Sequence, residues 1–164
     1  MRIDFEAKQR IPELLKAVDE YKQIWLKDGK KIEEAITSIS GFPIKEEDVK
    51  VIVYEGISFS GKNAREPMRL RASYPSEVKK AALIHELLHR HIFGFQNQEI
   101  DAHRMINLIL FDIWVEVYGE EFAKEQVEIE KKRKGVYDYK SAWNFALSKT
   151  KEQRQYLWKR LTKS

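Results

Sequence analysis

The sequence predicts an α+β domain: a small antiparallel sheet, then a motif-bearing helix, a buried second helix and a helical C-terminal part. Three patterns carry this. Ile11, Leu14, Leu15, Val18, Tyr21 and Trp25 recur at helical spacing. Val49, Val51 and Val53 alternate with Lys50, Ile52 and Tyr54, and Met68, Leu70 and Ala72 alternate with Arg69 and Arg71, which is the period of strands. From Ser76 onward the apolar spacing is helical throughout.

Taken in order, residues 12–27 form an amphipathic helix with Pro12 in its first turn and Asp28-Gly29 as its stop. Residues 31–38 form a second, short helix ended by Gly41 and Pro43. Residues 49–54 and 68–72 are strands, residues 57–60 are a candidate third, and residues 61–67 are a polar loop. Ser76 and Glu77 suit a helix N-terminus, and Gly94 suits its end. A helix follows over residues 98–118, stopped by Gly119. Its stretch 106–117 is apolar nearly all round, which marks a buried helix. Residues 120–134 form a charged helix stopped by Gly135, and residues 141–148 and 151–161 form two short ones.

With 164 residues, 43% hydrophobic and 34% charged, the chain reads as one folded domain over residues 1–164, with residues 120–164 as a basic helical extension. Cysteine is missing from the sequence, which excludes disulfides, thiolate metal ligands and a cysteine nucleophile. Residues 1–10 have no apolar core and no apolar run reaches membrane-spanning length, so no signal peptide or membrane partner is expected and the chain reads as soluble and cytoplasmic. Charge is unevenly spread. Residues 131–164 hold 11 Lys and Arg against 2 acids, a net +9, whereas residues 1–130 hold 19 against 24, a net −5. Lys131, Lys132, Arg133 and Lys134 are therefore candidates for contact with nucleic acid or an acidic partner. The same run also suits the last turn of a helix that begins with acids.

The chemistry lies at His85-Glu86-Leu87-Leu88-His89, an H-E-x-x-H sequence within a helix. Residues i and i+4 share a face, so both imidazoles reach one Zn²⁺. Glu86, rotated by about 100°, reaches a water rather than the ion and is the candidate general base. One zinc ion per chain is expected. A catalytic zinc ordinarily takes three protein ligands. On the following helix Glu99 and His103 share one stripe with Ile106 and Leu110, whereas Asp101 falls on the opposite side beside Arg104 as a solvated pair. His91 is turned away from the metal face.

The motif, placed after a small sheet, resembles the zincin metallopeptidases. Gln98-Glu99-Ile100-Asp101-Ala102-His103-Arg104-Met105-Ile106 resembles the gluzincin-type segment of ImmA/IrrE-like metallopeptidases, with His103 where Asn or Asp is usual. That resemblance implies Glu99 as the third metal ligand and His103 as the group that orients a ligating histidine. The alternative, by resemblance to SprT-like proteases, makes His103 itself the third ligand. Arg90 and His91 stand where zincins usually carry apolar residues, which predicts a more solvent-open site. The implied function is zinc-dependent peptide-bond hydrolysis on a regulatory or DNA-bound protein, with the substrate extended along an edge strand from residues 49–54, 57–60 or 68–72. Candidates to donate to the oxyanion are Tyr74, Arg104 and Tyr118. The alternative function is a nucleic-acid- or protein-binding module with a structural or vestigial zinc site.

Overall fold

The computed structural model describes residues 1–93, 95, 100–135 and 137–162. β1 (Arg2–Ala7) leads into α1 (Pro12–Ser40), followed by β2 (Asp48–Tyr54) and β3 (Met68–Arg71). The rest is helical: α2 (Ser76–His91), α3 (Ala102–Tyr118), α4 (Glu120–Lys131), α5 (Tyr139–Leu147) and α6 (Lys151–Thr162).

The strands form one sheet in the order β1-β2-β3, and every pairing is parallel. This corrects the antiparallel sheet expected from the sequence. Alternation of apolar and polar residues records which face is buried, not the direction in which a strand runs. Direction is set by the connections. α1 between β1 and β2, and residues 55–67 between β2 and β3, both return the chain to the same end of the sheet, as parallel pairing requires. The register places Phe5 opposite Val51 and Val53 opposite Leu70, all buried. Tyr21 of α1 stacks on Phe5 with ring centroids 6.1 Å apart. β1 has no counterpart in the sequence reading. Arg2 and Glu6 on its outward side pair with Asp48 and Lys50 of β2.

Residues 57–60 meet β3 at one antiparallel bridge, in which the N–H groups of Phe59 and Arg69 donate to each other's carbonyls at 2.9 and 2.7 Å, and Ser58 Oγ accepts from the Arg71 N–H at 3.1 Å. They lie along the outer edge of β3. β2 is the central strand, so residues 49–54 have no free edge to offer a substrate.

α1 runs unbroken where two helices were expected. Gly29 is buried under Trp25, and a Cβ there would meet the indole at 2.9 Å. A helical glycine costs about 1 kcal/mol, but α3 holds this turn from outside. Tyr118 Oη donates to Asp28 Oδ2 at 2.9 Å, and Lys31 Nζ donates to the Val117 carbonyl at 2.8 Å. α1 stops at Gly41, whose left-handed backbone (φ 85°) lets its N–H reach the Thr37 carbonyl.

α3 is the axis of the helical part and packs against α1, α2, α4, α5 and α6. Trp114 at its centre is fully buried against Trp143 of α5. Asp112 is buried too, paired with Arg154 of α6 at 2.7 Å. Trp143, Trp158 and Leu161 belong to the same core as the sheet. No helix among the described residues is long and apolar enough to cross a membrane.

Candidate metal centre

α2 carries its motif in the turns nearest α3. His85 and Glu86 are buried, and His89 is half-buried. α3 begins opposite them. Asp101 caps it, its carboxylate accepting from the Arg104 N–H at 2.9 Å. That cap puts His103, 8% exposed, in the first helical turn and against the two motif histidines. One ring nitrogen from each of His85, His89 and His103 lies within 4.8 Å of the others. The Nε2 atoms of His85 and His89 are 3.2 Å apart. Two nitrogens bound at about 2.05 Å to a tetrahedral ion stand about 3.3 Å apart, so this pair fits the edge of a zinc-type coordination sphere.

Behind His85 stands a residue that the sequence reading did not single out. Glu130, from the last turn of α4, is 1% exposed. Its Oε1 lies 3.0 Å from His85 Nδ1, at a bent angle, and neither atom has a straighter hydrogen bond. Its Oε2 accepts from Trp143 Nε1 at 2.8 Å, and Arg133 Nη1 lies 3.4 Å from Oε1. A carboxylate at Nδ1 fixes the proton there and leaves Nε2 free to bind a cation. Burial works against the charge on Glu130, but His85 and then Arg133 override it and hold its pKa at about 2. Burial likewise opposes an imidazolium at His85, and Glu130 overcomes that to raise its pKa. Among the described residues, His89 and His103 have no carboxylate so close to a ring nitrogen. Burial, followed by the neighbouring histidines, holds His89 well below the ordinary histidine range and His103 at about 4. Both are neutral near pH 7, the form that binds metal.

Glu86 opens onto a cleft with two lobes. One, of about 460 Å³, is lined by His89, His103, Phe59, Gly61 and Phe93; the other, of about 570 Å³, by Tyr74, Pro75, Val78, Ile129 and Arg133. Glu86, Ile57, Ser58, Tyr137 and Tyr139 border both. Burial raises the pKa of Glu86 to about 7, against the pull of His85 and Arg133. Tyr137 and Tyr139 sit on His103 with ring centroids 4.6 and 4.8 Å away.

Of the residues singled out from the sequence, His85, Glu86, His89 and His103 come together, and Glu99 lies outside the described residues. The stop at Gly94 and the helix start at residue 98 lie outside them as well. Asp101 is turned outward beside Arg104, 3.4 Å away. His91 faces away, its Nε2 3.0 Å from Ser40 Oγ and its ring stacked on Phe42. Lys131 pairs with Glu128, and Arg133 turns inward to Glu130, its guanidinium over the rings of Tyr74 and Tyr139. Lys132 and Lys134 are exposed. Tyr118 is engaged with Asp28 and Arg104 with Ser141, while Tyr74 borders the cleft.

Arg90 does not open the site. It is 5% exposed, forks onto Glu46 at 2.6 and 2.7 Å, and donates to the carbonyls of Ser60, Ala64 and Glu66 at 2.6, 2.9 and 2.9 Å. It thereby ties the loop that forms one cleft wall to the motif helix. Gly61 in that loop has φ 93°, and a Cβ there would stand 3.3 Å from Arg90 Nη1 and 3.2 Å from the Glu66 carbonyl oxygen.

Comparison with known proteins gave no match to a protein-family model, a curated protein or a solved structure.

Proposed function

We propose that the chain is a zinc-dependent peptidase whose metal is held by His85, His89 and His103. The observation that carries this reading is the cluster of three buried or half-buried imidazoles with Glu86 beside it at the junction of a two-lobed cleft. Zinc bound there would supply Lewis acidity toward a water and a carbonyl. Glu86 takes the proton from the attacking water and hands it to the leaving amine. A carboxylate beside the three imidazoles is a group that can both accept and return a proton. Glu130 keeps the His85 proton on Nδ1. Residues 57–60, along the outer edge of β3 and on the cleft wall, offer the extended substrate a backbone segment to lie against.

The test is metal content and turnover together. The purified chain should hold about one zinc per molecule, and His85→Ala, His89→Ala and His103→Ala should each lose it. Glu86→Gln should keep zinc and lose cleavage. Full zinc occupancy in His103→Ala, with loss in Glu99→Ala, would transfer the third position to Glu99. Full occupancy in the double variant at His85 and His89 would end the reading.

A further inference from the structure

Large apolar side chains in contact with water are scattered over most protein surfaces; here they gather. Of the eight such exposed residues among those described, Ile57, Phe59, Ile129 and Tyr137 border the cleft around Glu86. Ile57 is 73% exposed and Ile129 39%. A concentration of this kind beside a cavity marks a surface that is covered in use. The lobe between Tyr74 and Ile129 is the more apolar in its walls, with Pro75 and Val78 completing it, and its volume of about 570 Å³ accommodates a large side chain.

The rim of that lobe is cationic. Arg71, Arg133 and Lys134 border it, and Glu86 is its only carboxylate among the described residues. Arg71 is answered by Glu55 and Arg133 by Glu130, whereas Lys134 is exposed and has no carboxylate partner among the described residues.

We propose that this lobe receives a large apolar side chain of a peptide lying through the cleft, and that Lys134, backed by Arg133, selects an acidic residue next to it. The substrate class is therefore a protein segment in which a large aliphatic or aromatic residue adjoins Asp or Glu. The inference rests on the peptidase reading for its occupant and adds the specificity of one side of the cleft.

The test uses the zinc-loaded Glu86→Gln chain, so that binding is read without turnover, and fluorescently labelled decapeptides whose central pair is Leu-Glu, Ala-Glu or Leu-Lys. Leu-Glu should bind tightest by anisotropy. Replacing Leu by Ala removes about three buried carbon groups and should weaken binding roughly tenfold or more. Replacing Glu by Lys should weaken it several-fold at low salt and less at high salt. Ile129→Asp should abolish the preference for Leu over Ala, and Lys134→Glu should reverse the preference for Glu over Lys. Both positions are on the surface, so the variants should fold. Equal binding of the three peptides, no binding of any, or preferences that survive both variants would overturn the proposal. Wild-type cleavage, followed separately, distinguishes the two readings. Peptides bound with this preference but never cut would remove the peptidase and leave the lobe's specificity standing. Peptides cut without preference would do the reverse.

Discussion

Glu130→Gln is the sharpest single perturbation of the centre, because the two side chains have nearly the same shape and differ in what they can accept. Glu130 faces donors on both sides: His85 Nδ1–H at 3.0 Å and Trp143 Nε1–H at 2.8 Å. A carboxylate turns an oxygen toward each, whereas a glutamine amide has one oxygen. If that oxygen faces Trp143, its NH₂ faces His85 Nδ1 and drives the imidazole proton onto Nε2, where a metal would bind. If it faces His85, the buried indole N–H opposes another donor. Either way one contact fails, and Arg133, 3.4 Å away, loses its carboxylate. Loss of a partner that orients a ligating histidine typically costs about 10–100-fold in metal affinity, which is about 1.4–2.7 kcal/mol. An unmet buried donor costs the metal-free fold about 1–3 kcal/mol, or on the order of 5 °C in melting temperature for a domain of this size. Zinc affinity is read by competition with a chromogenic chelator, and stability by calorimetry in the presence of EDTA. Unchanged zinc affinity in a folded Glu130→Gln protein would refute the assignment of His85 Nε2 as a ligand held through Nδ1.

Two further predictions concern the frame of the site. Arg90→Ala removes a buried cation from five contacts and leaves Glu46 without its partner, so the fold should lose about 3–5 kcal/mol; Gly61→Ala, strained by its positive φ, should lose less, and limited proteolysis should cut both variants within residues 57–67 before the parent. Burial, with Lys45 adding to it, holds the pKa of folded His91 at about 4, below the ordinary 6.5. The unfolded chain therefore binds this proton first, and stability present above pH 6.5 is lost as pH falls toward 4, by up to about 3 kcal/mol. Denaturant midpoints in EDTA should decline across that window, and less steeply for His91→Phe; equal slopes would show that His91 does not carry the effect.

The parts of the fold legible in the sequence are those that depend on local pattern. The strands read at 49–54 and 68–72 and found at 48–54 and 68–71, the helix start at Ser76, the break at Gly119 and the burial of the helix over residues 106–117 all follow from spacing and from the turn preferences of single residues. Strand direction did not follow, because Val49, Val51 and Val53 would alternate in the same way in either sense. The continuity of α1 through Gly29 did not follow either. A glycine after aspartate is a local stop signal, and the contacts that overrule it come from Tyr118 and Lys31 meeting across the α1–α3 interface.

The candidate site divides along the same line. His85, Glu86 and His89 sit on one helix, so their nearness to one another could be read from the sequence. Glu130 could not. In the chain it is the last acid of a charged stretch, and nothing local separates it from Glu128, which pairs with Lys131 on the surface. Only the packing of α4 beside α2 and α5 places one of these carboxylates between an imidazole and an indole and leaves the other in water. The same holds for Arg133 and Arg90. Both read as surface charge in the sequence, and both turn inward because an acid and, for Arg90, three loop carbonyls wait there. A buried guanidinium needs nearly all its N–H groups met, and Arg90 achieves this by gathering residues 60–66 around itself. Arg90, next to the second motif histidine, thus builds the wall of the cleft. A substitution there to an apolar residue would leave this chain's loop without the donor that shapes it.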